Sequence, residues 1–223
     1  MKLLNVTKAR VIWLFDLLDL NPKGKSIFPD LFEWLVAEYH FKKFPKSVDE
    51  RDAQGGWILE QGEFQVSEEI FKSVDLGIYN DGLVATTQST TDDAERFLGN
   101  LLDLANKEFS LAFEPPMIRR KMYLSEITVQ TSVSLARINP KLQEFANKIS
   151  SAVGLQGDLG FQVTGIDFAT DQIALPLSKM LYSGFIFERK LGATFSENRF
   201  YAKAPLPTTK HLELLADLEK LLV

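Results

Sequence analysis

Glu126-Ile127-Thr128-Val129-Gln130-Thr131-Ser132-Val133-Ser134-Leu135 is the stretch on which the fold class turns. Ile127, Val129, Thr131, Val133 and Leu135 alternate with Thr128, Gln130, Ser132 and Ser134. That two-residue period belongs to a strand with one buried and one polar face. Asn139-Pro140 follows. Asn caps a helix and Pro suits its first position, and Leu142, Phe145, Ala146 and Ile149 share one side of the helix so begun. Gly154 and Gly157 end it. Further on, Phe161, Val163 and residues 165–168 read as a strand and residues 184–189 as another, and a turn at Ser196-Glu197-Asn198 leads to a third over 200–204. Pro205 and Pro207 break that strand, Thr208 or Thr209 caps, and Leu212, Leu215, Leu218 and Leu222 recur at helical spacing. The order is β-α-β-β-β-α.

The first half reads in the same order. The apolar run 11–20 reaches Asn21-Pro22-Lys23 as the later strand reaches Asn139-Pro140-Lys141. A helix over 29–41, a polar loop over 42–56 and a strand over 57–66 follow. Asn80-Asp81-Gly82 then signals a type I′ hairpin between 74–79 and 83–87. Thr90 or Thr91 caps a helix with Asp92, Asp93 and Glu95 in its first turn, and Phe97, Leu98, Leu101, Leu104 and Ala105 form its apolar side. The Asn-Pro-Lys sites and the Thr-Thr pairs (Thr90-Thr91, Thr208-Thr209) recur at one common spacing. The expected fold is therefore α+β, with two tandem β-α-β-β-β-α-like halves. They read as an internal pseudo-duplication, and the sheet is mostly antiparallel with helices packed on one face. The halves run over 1–113 and 117–223, joined by extended chain at Glu114-Pro115-Pro116, or intertwine as one domain. The run 11–20 has a second reading: Val11, Leu14, Phe15 and Leu18 also fit an amphipathic helix.

Composition narrows the function classes. With 223 residues, 45% of them apolar and 17 Phe, the chain buries enough surface to offset the entropy of ordering it. Cysteine is absent, which excludes disulfides, Cys-ligated zinc, iron–sulfur clusters and a thiol nucleophile. The formal charge of −5 argues against a surface built throughout for phosphate backbones. Asp16 and Asp19 interrupt the N-terminal apolar run, so it is not expected to act as a signal peptide, and no run approaches the roughly 18 apolar residues of a membrane span. A cytoplasmic protein without membrane contact is expected.

Chemistry-bearing groups are few. In Phe185-Ile186-Phe187-Glu188-Arg189-Lys190, strand alternation puts Glu188 and Lys190 on one face, with Asp167 ending the preceding strand and Glu144 on the helix before it. This Asp…Glu-x-Lys arrangement resembles the PD-(D/E)xK nucleases. The resemblance implies a carboxylate pair holding Mg²⁺ with a lysine stabilising the transition state. Ile166 stands where that family has a proline. The competing assignment sends Phe185 and Phe187 to the core and leaves Glu188 and Lys190 on a solvated, cross-strand-paired face. His40 and His211 lack partners at metal-binding spacing and are expected at the surface. There is no Gly-x-Ser-x-Gly, no Walker loop and no dinucleotide fingerprint.

Basic residues cluster at Lys42, Lys43, Lys46 and Arg51, a cluster interleaved with Tyr39, Phe41 and Phe44, and again at Arg119, Arg120 and Lys121. Both clusters are candidate contacts for a partner or for nucleic acid, although Asp49, Glu50 and Asp52 weaken any attraction for phosphate. The expected function is a non-enzymatic binding or assembly protein without cofactor or metal. It would act through a protein–protein interface, with another protein or with itself, on the helix-free sheet face or a groove between the halves. A metal-dependent nuclease or hydrolase using the Asp167 constellation is the first alternative, and a nucleic-acid-contacting accessory subunit the second.

Overall fold

A computed structural model describes residues 1–24, 28–155, 159–171 and 183–222; Gly157 lies outside them. The first series of elements is β1 (Lys2–Leu14), α1 (Phe28–Tyr39), β2 (Trp57–Ser67), β3 (Ile70–Tyr79), β4 (Gly82–Thr87) and α2 (Thr91–Phe109). The second is β5 (Arg120–Gln130), α3 (Pro140–Ala152), β6 (Gly165–Phe168), β7 (Phe185–Arg189), β8 (Arg199–Ala204) and α4 (Thr208–Lys220). The fold is α+β: the helices pack against an eight-stranded antiparallel sheet in the order β2-β3-β4-β1-β5-β8-β7-β6. Exchanging each element of one series for its counterpart in the other turns that order into its own reverse.

Two compact units divide the chain, and neither is one continuous stretch. The first comprises Thr7–Ser125 with Leu206–Thr208, and the second Met1–Val6, Glu126–Pro205 and Thr209–Val223. In the first unit, the pleat of β1 sends Ala9, Val11 and Trp13 inward and Lys8, Arg10 and Ile12 to the other side. The strand stops at Leu14. Asp16 accepts a hydrogen bond from the Leu18 amide at 3.0 Å and starts a 3-10 turn over Leu17–Leu20, so the run 11–20 is neither strand throughout nor an amphipathic helix.

The hairpin falls where the sequence places it, with Tyr79 opposite Gly82, but its turn is not type I′. That turn needs positive φ at both central residues, whereas here Gly82 (φ +152°) carries it and Asn80 and Asp81 do not. The loop carbonyls serve another purpose: Asp81 and Asn80 accept from the amides of Phe15 and Leu17 at 3.0 and 2.9 Å. A Cβ at Gly82 would sit 2.0 Å from the Trp13 carbonyl oxygen, so only glycine lets β4 start this close to β1.

Thr90 caps α2, its hydroxyl accepting from the Asp93 amide at 3.1 Å. Thr91 and Thr208, the first residues of α2 and α4, are both buried and serve each other. The Thr91 amide donates to Thr208 Oγ1 at 3.0 Å, and the Thr208 amide donates to Thr91 Oγ1 at 2.8 Å. Each threonine thus satisfies an amide that the other helix leaves unpaired at its N-terminus.

β5 runs from Arg120 and ends at Gln130, short of Leu135. Thr131 donates to the Val133 carbonyl at 2.6 Å, and Ser134 caps a 3-10 turn over Leu135–Ile138. These local hydrogen bonds compete with the ladder. The Pro-Pro step is likewise not extended: Pro115–Met117 form a 3-10 turn, and Met117 and Ile118 pack onto the first unit's core.

That core is rich in aromatics. Phe97 meets Tyr39 and Phe64 edge-on with centroids 5.0 and 5.5 Å apart. In the second unit Phe187 stacks on Phe200 at 4.5 Å beneath Leu215, Leu218 and Leu222. The inward side of α2 (Ala94, Leu98, Leu101, Ala105) recurs 117 positions later as His211, Leu215, Leu218 and Leu222, the spacing that separates Thr91 from Thr208.

Candidate functional site

The first unit's sheet buries one face under α1 and α2 and leaves the other as a depression of about 1190 Å³. Cross-strand register assembles that open face in rows, because residues directly opposite in an antiparallel pair point to the same side. One row is apolar: Ile12 faces Val84, Val84 faces Gly77, and Gly77 faces Ile58. The next is polar: Arg10 faces Thr86, which faces Asp75. At its end β2 bulges, and Gln61, with φ +57°, donates its amide to Asp75 Oδ1 at 2.9 Å.

Tyr79 borders the apolar row. Its ring lies over Gly56, where a Cβ would meet Tyr79 Cε1 at 2.3 Å, and its hydroxyl donates to Asp52 Oδ2 at 2.8 Å. Burial, with the Asp52 carboxylate beside it, pushes the phenol up to about 12. Asp52 is held below the usual carboxylate range, first by the Gly56 amide and then by Tyr79 and the Gln54 amide. Tyr79 therefore stays a neutral hydrogen-bond donor, and Asp52 a charged acceptor committed to its own loop.

The rim carries the first basic cluster in part. Lys43 reaches Glu60 at 3.1 Å and Lys42 approaches Glu63 at 3.9 Å. Lys46 leaves the face and sits 3.6 Å over the Phe44 ring. Tyr39 and Phe41 are core residues, so neither is presented for stacking on a base. The second cluster splits between two sides of β5. Lys121 pairs with Glu95 of α2, which also accepts from the Tyr123 hydroxyl at 3.2 Å. Arg119 reaches Asp19 at 3.6 Å, and with Arg120 it lines a smaller depression of about 630 Å³ beside Leu14 and Asp81.

In the second unit Asp167 faces Ile186 and Glu188 faces Gly165, so the two carboxylates are diagonal neighbours on one side of the β6–β7 pair. Glu188 also faces Tyr201, whose hydroxyl is bonded to Glu126. Lys190 follows the end of β7, its amide donating to the Arg199 carbonyl at 2.9 Å, and Glu144 is on an exposed side of α3. Phe187 is buried and Phe185 half-buried. Among the described residues no three His, Asp or Glu side chains are grouped to hold a metal ion.

His40 is exposed, but His211 is not a surface residue: it is fully buried, edge-on to Phe185 at 5.8 Å. Neither ring nitrogen has a hydrogen-bond partner among the described residues, and desolvation pulls its pKa down to about 4. Helical spacing held the signal, since His211 shares the inward stripe with Leu215 and Leu218. Lys8 and Arg10 were also readable, from the alternation Lys8-Ala9-Arg10-Val11-Ile12-Trp13, once the strand is begun before Val11.

Among the described residues no helix is long and apolar enough to cross a membrane. No protein-family model and no curated protein matches the chain.

Proposed function

We propose that this chain is a non-enzymatic binding or assembly protein that docks a protein partner on the open face of its first unit. One observation carries this: a concave, half-buried sheet face alternates an apolar row (Ile12, Val84, Ile58) with a polar row (Arg10, Thr86, Asp75). Such a surface offers apolar contact and orienting hydrogen bonds together, which is what a specific interface needs. The metal-dependent alternative has two diagonal carboxylates, Asp167 and Glu188, and lacks a third ligand among the described residues.

Two subsidiary proposals accompany it. The matching element order, the self-reversing strand order and the reciprocal Thr91–Thr208 contact support descent of the two series from one duplicated β-α-β-β-β-α unit. The cysteine-free composition supports a cytoplasmic location.

The test is site-specific photocrosslinking in the native host. A photoreactive residue replacing Val84 should give one discrete adduct, which Thr86→Arg abolishes while far-UV circular dichroism stays unchanged. The same residue at Asn100, on α2, should give none. Equal labelling from both sites, or no adduct from Val84, would remove the docking role.

A further inference from the structure

We propose that the occupant of this face is a polypeptide segment carrying a carboxylate beside an apolar side chain, and that Arg10 anchors the carboxylate. This rests on the docking role proposed above.

The charges on the face are not evenly satisfied. Each acid is engaged: Glu60 by Lys43, Glu63 by Lys42, Asp75 by the Gln61 amide, and Asp52 by its loop amides and Tyr79. The central cations are not. Among the described residues neither Lys8 nor Arg10 has an ion-pair partner, and both are half-buried. Arg10 is steered by a single contact, Nε to Thr86 Oγ1 at 3.3 Å, which orients the guanidinium and leaves its two terminal amino groups uncommitted. A planar fork held in this way receives a carboxylate through two parallel hydrogen bonds. Partial burial makes such a pair stronger than one in open solvent.

The register defines the rest of the ligand. Ile12 and Val84 sit one row from Arg10 and Thr86, so an apolar side chain over them places a neighbouring carboxylate at the guanidinium. A nucleic acid fits less well. Its regularly spaced phosphates would meet Glu60, Glu63, Asp75 and Asp52, all within the same depression.

An NMR titration of the ¹⁵N-labelled full chain tests this with three blocked pentapeptides: Ac-Gly-Glu-Leu-Glu-Gly-NH2 and its counterparts with Gln or with Lys in place of both Glu. A thymidine oligonucleotide is the fourth probe. The acidic peptide should shift the Arg10 Nε signal and the amides of Thr86, Val84 and Gly77. The Gln peptide, or Arg10→Met with the acidic peptide, should bind about ten-fold more weakly, the discrimination expected for a charged bidentate pair. Thr86→Val, which frees the guanidinium to swing, should fall between. If the Gln or Lys peptide binds as well as the acidic one, the docking role survives and the carboxylate assignment falls. If no peptide moves the face, both fall. Tighter binding of the oligonucleotide at the same residues replaces a polypeptide with a phosphate ligand. A dimer seen by light scattering that Arg10→Met dissolves, with no peptide bound, assigns the face to a second copy and overturns the proposal.

Discussion

Two helices that share leucines along their inward stripes, Leu98 and Leu101 matching Leu215 and Leu218, differ where α2 carries Ala94 and α4 carries His211, and again at Ala105 and Leu222. Around Ala94 the first unit packs Phe97, Leu98 and Leu101 with the rings of Tyr39 and Phe64. Around His211 the second unit packs Leu215 and Leu218 against a flat Phe187–Phe200 stack, with an unpaired imidazole inside. One architecture thus supports two degrees of core quality. The first core is the richer in aromatic rings, and the leaner one holds a buried titratable group.

The largest effect should come from breaking the denser core. Phe97→Ala removes the ring at its centre and is expected to cost about 3–5 kcal/mol; Phe187→Ala should fall at the low end of that range, because one stacked ring and flexible leucines collapse more readily into the void. All three tryptophans, Trp13, Trp34 and Trp57, belong to the first unit, so their fluorescence reports it alone while far-UV circular dichroism reports both. Urea curves by the two probes should separate for Phe97→Ala. Equal costs for the two substitutions would mean that the units do not differ in packing quality.

The second effect depends on pH. The folded pKa of His211, about 4, lies below the ordinary value of 6.5. Above pH 6.5 both states are neutral and the group contributes nothing. Between 6.5 and 4 the unfolded chain takes up a proton that the folded chain refuses, so stability falls by roughly 1.4 kcal/mol per pH unit, on the order of 3 kcal/mol in all. His211→Leu should abolish that loss and bring the second unit closer to the first. If the wild-type chain and the variant lose stability in parallel over this window, the imidazole is protonated within the fold.

How much of this was legible in the sequence follows from the same contrast. Periodicity revealed the strands and helices, because alternation and the leucine stripe of α4 are products of burial itself. It missed the ends of β1 and β5, where Asp16, Thr131 and Ser134 side chains bond to backbone and stop the ladder. Such contests between local hydrogen bonds are decided by a few kcal/mol and leave no period. The open face was missed for another reason: Lys42 and Lys43 formed a visible cluster, whereas Arg10 and Thr86 are adjacent only through strand register.

A smaller effect probes what the two series share. Thr91→Val leaves the buried Thr208 amide without an acceptor and should cost about 1–3 kcal/mol, as should Thr208→Val. The double variant should cost somewhat less than the sum, because the contact between the two hydroxyls, 3.3 Å, is lost to either substitution. Additive costs would mean that the two hydroxyls act independently.

The smallest expected change is the most informative about the open face. Arg10 touches Thr86 and no acid among the described residues, so Arg10→Ala should alter stability by no more than about 0.5 kcal/mol in a urea titration followed by tryptophan fluorescence. A guanidinium that pairs with no acid among the described residues, yet is held half-buried and oriented by Thr86, is more readily explained by something outside the chain than by the chain's own stability. A cost above about 2 kcal/mol would put Arg10 among the residues that hold the sheet together. The second unit supplies the control: Glu188→Ala removes an exposed carboxylate from the corresponding sheet side, and should be just as silent. Two silent substitutions, of which only Arg10→Ala weakens binding of the acidic peptide, would separate a recognition surface from a merely solvated one.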